Sequence, residues 1–534
     1  MEQKLQQFIE KYVDSVRPLL KELYTLHWEY DTTGDSSLVE RKIEIEKQYK
    51  QIVANKESLG QLQEFKKSGM IHDTVLQRQL DCLLNEFGMS QGEPENIKRI
   101  IQLESEINTS YNQYRGKIDE RELNDNEIKK MLHDELDLEM RKKAWEASKQ
   151  IGQEVAQKVI EVVKLRNENA QKAGYSDYYT MALSHKDLDE EKMFYTLNRL
   201  AELSDEPFRK LKAKMDEELS QKFGIAVEDM RPWHYADPFF QQPPPHKTLD
   251  VDQFYQDIDI EQLMIDTYDS IDMDIRDILE RSDLYPKDKK CQHAYCTFID
   301  REAKDVRILC NIAPTEQWTS TTLHEFGHAV YDKYIDSDLP YILIDTPHTL
   351  STEAIAMMMD TLSKNPKWLT DFVKIDAEKV TPIHDELIQE ERLTQFVFIR
   401  WGLVMVNFER ELYKNPDQDL NKLWWDYVEK YQCVTRPENR DKPDWASKIH
   451  LALCPVYYQN YIYGELVSAQ LQDHIKKEVG NGELFGNKDL GTYLKDKYFA
   501  SGAKYDWNET LKNATGAKLD PKHFVEHSLG IPLT

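Results

Sequence analysis

The chain has 534 residues, enough for a large buried core. Hydrophobic residues are 40% and charged residues 31%, with only 19 Gly, which excludes collagen-like, disulfide-knot and low-complexity classes and favours a soluble, mostly helical protein. The formal net charge of −27 opposes phosphate surfaces, so neither nucleic acid nor an anionic membrane is an expected partner. No run approaches the ~18 apolar residues of a membrane span. Met1 to Tyr30 is charged throughout and lacks an apolar signal core. The expected location is therefore the cytoplasm, or the periplasm or exterior if an upstream signal is missing. The cysteines (Cys82, Cys291, Cys296, Cys310, Cys433, Cys454) form no C-x-x-C pair and read as free thiols.

Phe8, Tyr12, Val16, Leu19, Leu20 and Leu23 recur at helical spacing and predict a first amphipathic helix. Further helices are predicted near 36–66, 70–88, 94–117, 126–149 and 153–173. Met230 to Lys247 holds five prolines among aromatic residues and reads as an ordered irregular segment. Gln292–Ile299, a charged turn and Val306–Ile312 predict a β-hairpin. Thr319 to Thr322 offer N-cap residues for a helix burying Leu323, Phe326, Val330, Tyr331 and Tyr334. Segments 349–364, 387–413, 418–432 and 455–478 are again helical. No composition shift divides the chain, so residues 1–534 are read as one unit.

The capped helix contains His324-Glu325-Phe326-Gly327-His328. Residues four apart lie ~40° apart around a helix axis and ~6 Å along it. Two imidazoles so placed can share one zinc ion, and the glutamate beside them can take a proton from the attacking water. The plainer reading is two histidines packing on a helix face. A catalytic zinc needs a third protein ligand. Asp332, Asp336, Asp338, Asp345, Glu353 and Asp360 are the acidic candidates. Asp332 and Asp336 lie on or just past the same helix, too near to fold back. Glu353 opens the apolar helix Glu353-Ala354-Ile355-Ala356-Met357-Met358-Met359-Asp360, where a carboxylate is costly unless paired or metal-bound. Its plainer role is to favour a helix N-terminus.

These residues resemble the zinc peptidyl-dipeptidases of the angiotensin-converting-enzyme type, over almost the whole chain. Trp28-Glu29-Tyr30-Asp31-Thr32 is similar to the family's Trp-Asn-Tyr-Asn-Thr element, and Arg166-Asn167-Glu168 with Gly174-Tyr175-x-Asp177-Tyr178 to its Arg-Asn-Glu signature. Pro232-x-His234, His293-Ala294, Cys310, Asp338-Leu339-Pro340, Trp424-Trp425, Lys448-x-His450, Tyr458-x-x-Tyr461 and Asn513-Ala514-Thr515-Gly516 follow in the family's order.

The resemblance implies a mostly α, two-lobed ellipsoid with a deep central cleft and a small β element, residues 290–365 forming the zinc-site core and residues 1–100 a helical lid. It implies one zinc ion per chain on His324, His328 and Glu353, with Glu325 as the base. His450 and Tyr461 correspond to donors for the tetrahedral intermediate. One extra residue separates them here, so Tyr458 is a fallback for Tyr461. His293 and Ala294 correspond to a strand that holds the substrate main chain. Gln242, Lys448 and Tyr458 correspond to the trio that binds the substrate's C-terminal carboxylate. The implied activity is release of C-terminal dipeptides from short peptides by a monomer, with a dimer left open. A zinc oligoendopeptidase of the thimet type is the alternative enzyme, and a helical binding protein with a degenerate metal site the non-enzyme alternative.

Four departures stand out. Met357 occupies the place of an acid that supports a zinc histidine, leaving open which group orients His328, with Asp360 a turn further on. Thr352 stands where the family has His. Cys291 is displaced by one residue from the family's hairpin cysteine pair with Cys310, and a bridge between them is not expected in cytosol. Asn460 and Val428 replace arginines that hold chloride in the family, so chloride is not expected as a cofactor.

Overall fold

The apolar spacing through residues 1–23 forms α1 (Glu2–Thr33) in a computed structural model that describes residues 1–244 and 251–533. Left-handed Gly34 (φ 65) closes the helix, its N–H donating to the Tyr30 carbonyl. The helix predicted over 36–66 is two, Val39–Val53 and Lys56–Ser68, because Asn55 caps the second by accepting from Ser58 N. After α2 (Thr74–Met89) and the helix Pro94–Gln113, a small hairpin pairs β1 (Gly116–Ile118) with β2 (Arg121–Leu123). The sequence reading placed a break near 150–152. It falls instead before Asp137, which caps α3 (Leu138–Lys172), after the short helix Asp125–Asp134. Gly152 is a packing glycine and not a terminator: a Cβ there would collide with the Pro443 carbonyl.

The long helix α4 (Glu190–Phe223) leads into the irregular proline segment. Its backbone is held by the Arg141 guanidinium, which donates to the carbonyls of Trp233 and Tyr235. Residues 245–250 lie outside the described residues. The predicted hairpin is present but shorter. β3 (Tyr295–Asp300) pairs antiparallel with β4 (Asp305–Leu309), Tyr295 facing Leu309 and Phe298 facing Val306.

The helix with both histidines, α5 (Glu316–Tyr334), starts earlier than predicted. Thr315 caps it by accepting from Trp318 N, and Thr319 and Thr322 are buried inside it. The glutamate helix α6 (Thr349–Asp360) is capped by His348, so Glu353 sits one turn in and not at its start. α7 (His384–Lys414) and α8 (Gln459–Glu478) complete the frame of the site. The protein is mostly helical, as read from the sequence, with two small antiparallel hairpins among the described residues.

The main core runs from Leu103 to Leu529. Leu5, Ile9, Tyr12, Val13 and Val16 of α1 form a separate core with Leu76, Leu80, Leu83 and Phe87 of α2. α1 also meets the hairpin beside the site: Trp28 packs edge-on to Tyr295 at 6.5 Å, and the Tyr295 hydroxyl donates to Asp31 at 2.9 Å. All six cysteines are free thiols. Among the described residues no helix is long and apolar enough to cross a membrane.

The most extensive helix packing is that of α5 on α6, followed closely by α6 on α8. Gly327, between the two histidines, sets that approach: a Cβ there would lie 2.7 Å from Ala356 Cα and 3.0 Å from Ala356 N. Neither atom can swing aside as a side-chain tip can. Gly327→Ala is therefore expected to separate α5 from α6 and destabilise the protein by about 1–3 kcal/mol. A thermal melt, read with bound-zinc content, checks this. An unchanged melting midpoint would show that the two helices tolerate a wider spacing.

Candidate metal centre

The i, i+4 spacing on α5 sends both imidazoles toward α6, where buried Glu353 meets them. His324 Nε2 and His328 Nε2 lie 3.6 and 3.9 Å from Glu353 Oε2, and 3.2 Å from each other. The three ligand atoms fall within 4.8 Å of one another, the one such cluster of His, Cys, Asp and Glu among the described residues. A nitrogen–nitrogen–carboxylate set of this kind fits zinc.

The other ring nitrogens are committed. His324 Nδ1 lies 2.9 Å from Asp360 Oδ2, and His328 Nδ1 lies 2.7 Å from Thr352 Oγ1. Both bonds turn Nε2 toward the cluster. Asp360 therefore serves His324, while Thr352 orients His328. The residues that differ from the family at 352 and 357 have their explanation here: a hydroxyl on the preceding turn does the orienting, and Met357 lines the neighbouring cavity.

Charge follows from this geometry. Burial alone would pull His324 down, but the Asp360 bond and the nearby Glu325 and Glu353 charges hold it at about 9. Burial and the His324 charge keep His328 well below the usual imidazole range. Glu353 is pushed up by burial, offset in part by His324 and by the Tyr457 hydroxyl. Glu325, buried beside the cluster, is pushed up to about 7 by burial, against the pull of His324. The backbone N–H of Cys296 on β3 donates to its carboxylate, so the hairpin edge holds the glutamate in place.

Asp360→Asn keeps the size of the side chain but weakens its hold on His324. The expected result is a ~10–100-fold loss of zinc affinity. Competition with a chromophoric chelator measures it, and an unchanged affinity would remove Asp360 from the ligand support.

Other residues singled out in the sequence are placed less uniformly. Lys448 Nζ donates to Gln241 Oε1 at 2.9 Å, one position before the glutamine expected there. Gln242 is exposed at the same cavity. Three rings surround the ammonium, with Trp401, Phe239 and Tyr458 centroids at 5.3, 5.4 and 5.8 Å. Burial lowers Lys448 to about 8, and Asp237 partly restores it. The Tyr458 hydroxyl accepts from Trp401 Nε1 at 2.6 Å, so Tyr458 belongs to this cage. His450 is lowered to about 4 by burial and by Lys448, and its buried Nδ1 has no partner among the described residues.

Tyr461 lines a cavity of 390 Å³ together with His324, Gln241 and Gln242. The tyrosine that touches the cluster is its neighbour Tyr457, whose hydroxyl donates to Glu353 Oε1 at 3.3 Å. Sequence spacing singled out Tyr458 and Tyr461 and missed Tyr457. Three tyrosines within five residues cannot be ranked without the chain path. His293 and Ala294 precede β3 and lie outside the strand, and His293 is exposed.

Val428 and Asn460 are buried. Val428 shares a small cavity with Lys149 and Trp425, whose Nζ and Nε1 have no hydrogen-bond partner among the described residues, the ammonium lying over the Phe239 ring at 3.1 Å. Lys149, brought by α3 and lowered to about 7 by burial, and the Trp425 N–H thus stand beside Val428. Arg436 and Arg440 are committed to carboxylates.

A His-His-Glu cluster with a buried glutamate beside it, on the helices of a mostly α fold, is the site of the gluzincin class of zinc metallopeptidases. Residues 131–529 match the family model for peptidase family M3, and the chain belongs to that family. Residues 1–232 match the model for angiotensin-converting enzyme, in keeping with the resemblance read in the sequence. Thermostable carboxypeptidase 1 of Pyrococcus furiosus is 26% identical over 231 residues, 38% of this chain and 45% of the relative. Angiotensin-converting enzymes of Mesocricetus auratus and Rattus norvegicus are 24% and 23% identical over 204 residues, 36% of this chain and 15% of each relative. The chain thus spans less than half the length of the curated relatives it matches.

Proposed function

We propose that this protein is a zinc-dependent peptidase that releases dipeptides from the C-termini of short peptides. Zinc would be held by His324, His328 and Glu353. When bound, it polarises the scissile carbonyl and favours ionisation of the attacking water. Glu325 takes the water's proton and later passes it to the leaving amine. His450, kept neutral, and Tyr461 or Tyr457 supply hydrogen-bond donors to the developing oxyanion. The N-terminal helices, with a core of their own, act as a lid over the cleft and restrict it to short, unfolded peptides.

One observation supports the dipeptide reading above others. Lys448 donates to Gln241, which lines the cavity that His324 and Tyr461 also line. An ammonium with one neutral hydrogen-bond partner and no carboxylate within bonding distance among the described residues is suited to a free carboxylate. A peptide with its terminus there would be cut a fixed distance away.

The oligoendopeptidase reading makes the opposite prediction for an amidated terminus. The test is product mass analysis on one peptide presented as free acid and as amide. Dipeptides from the free acid, and little cleavage of the amide, are expected. Internal cuts in both forms would favour the oligoendopeptidase.

A further inference from the structure

The cavity beside His324 has a second character that the zinc chemistry does not use. Its walls carry the carboxylates of Glu316, Asp360, Glu391 and Glu465, against one ammonium, Lys364, which pairs with Glu390 at 3.7 Å. Two of these acids are engaged: Asp360 holds His324, and Glu316 accepts from Ser363 Oγ at 2.7 Å. Glu391 on α7 and Glu465 on α8 remain, facing each other across Gln395. The Gln395 amide nitrogen donates to both, at 3.1 and 3.3 Å. That orientation is forced, since turning the amide over would set its oxygen against two carboxylates.

Gln395 Oε1 is thereby left without a donor. The residue is 9% exposed and lines the cavity, and no described group donates to this oxygen. A buried carbonyl without a donor is costly. Glu391 and Glu465 offer acceptors to the cavity, and Gln395, whose amide nitrogen is spent between them, offers no spare donor. The chemistry that complements them is a cation with several N–H groups. A guanidinium, with five donors in a plane, can serve two carboxylates together, and an ammonium has three donors to share between them. These carboxylates are not part of a convergent metal cluster among the described residues, which favours an extended organic cation over a metal ion. The 390 Å³ volume, with Phe398 and Met357 as apolar walls, suits a long side chain with a charged tip.

We propose that this cavity is a specificity pocket for an arginine or lysine side chain of the substrate, on the side of the leaving dipeptide. The assignment to that side rests on the reading given above, because the cavity shares Gln241 with the Lys448 pair.

The test uses the zinc-loaded enzyme and free-acid peptides that differ at one residue, in each of the two positions after the scissile bond. Arginine, lysine, citrulline, norleucine and glutamate are compared by kcat/KM. Arginine is expected to exceed citrulline by about tenfold or more at one position, with lysine next and glutamate last. Glu391→Gln and Glu465→Gln, both close in shape to the native residue, should each bring the arginine-to-citrulline ratio toward one. A ratio within about twofold of one in the wild-type enzyme, at both positions, overturns the proposal, whether or not the variants fold. A wild-type preference that survives in both folded variants also overturns it. Product masses from the citrulline peptides separate this outcome from failure of the dipeptide reading. Internal cuts with the arginine preference intact would sink the dipeptide reading alone. Dipeptide release with a ratio of one would sink the pocket alone.

Discussion

Glu325→Gln is expected to keep zinc at one ion per chain while lowering kcat by about 10²–10⁴-fold, the usual share of general acid–base catalysis. Glu325 follows His324 on α5, but the ligand cluster comprises His324, His328 and Glu353. Its carboxylate is buried beside that cluster and held by the Cys296 N–H. Glutamine fills the same volume and its carbonyl can still accept that N–H. What it loses is the ability to take a proton. His324→Ala and His328→Ala remove something different, one of three ligands, and should abolish both metal and activity. Elemental analysis and steady-state kinetics on the same preparations distinguish the two classes. Near-wild-type kcat in Glu325→Gln would show that another group is the base. Equal zinc in wild type and in the double histidine variant would place the metal elsewhere.

Lys448→Ala should raise KM on free-acid peptides by about 10–100-fold, in line with the few kcal/mol of a partly buried, charge-assisted contact. The same variant should change KM on C-terminally amidated peptides far less, because the amide brings no charge to the site. The ammonium sits in a cage of Trp401, Phe239 and Tyr458, with the Gln241 carbonyl as its hydrogen-bond partner. Removing it leaves an apolar socket that cannot compensate a carboxylate. Gln241→Ala should reproduce a smaller part of the effect, and Gln242→Ala, at an exposed position, less still. Equal losses on acid and amide would mean that Lys448 supports the fold of the cleft and does not read the terminus.

Much of this site was legible because a helix is a local, repeating structure. Once residues 316–334 are helical, the spacing of His324 and His328 decides that both imidazoles leave from one face, whatever the rest of the chain does. The apolar run around Glu353 likewise marked a carboxylate that burial alone would not tolerate. The β3–β4 hairpin was readable from its β-rich arm and charged turn.

Contacts between elements were not legible, because they depend on how far each helix slides and turns against its neighbour. Nothing local says that Thr352 would reach His328 and Asp360 reach His324. The close approach of α5 and α6 at Gly327 decided it. In irregular segments a single residue of path changes the outcome. Gln241, and not Gln242, pairs with Lys448, Tyr457 touches Glu353 ahead of Tyr458 and Tyr461, and His293 falls outside the strand. The cluster of Glu391, Gln395 and Glu465 spans two helices far apart in the chain. Its unmet acceptor exists only once α7 and α8 are packed, since pairing across elements is a property of the packed whole.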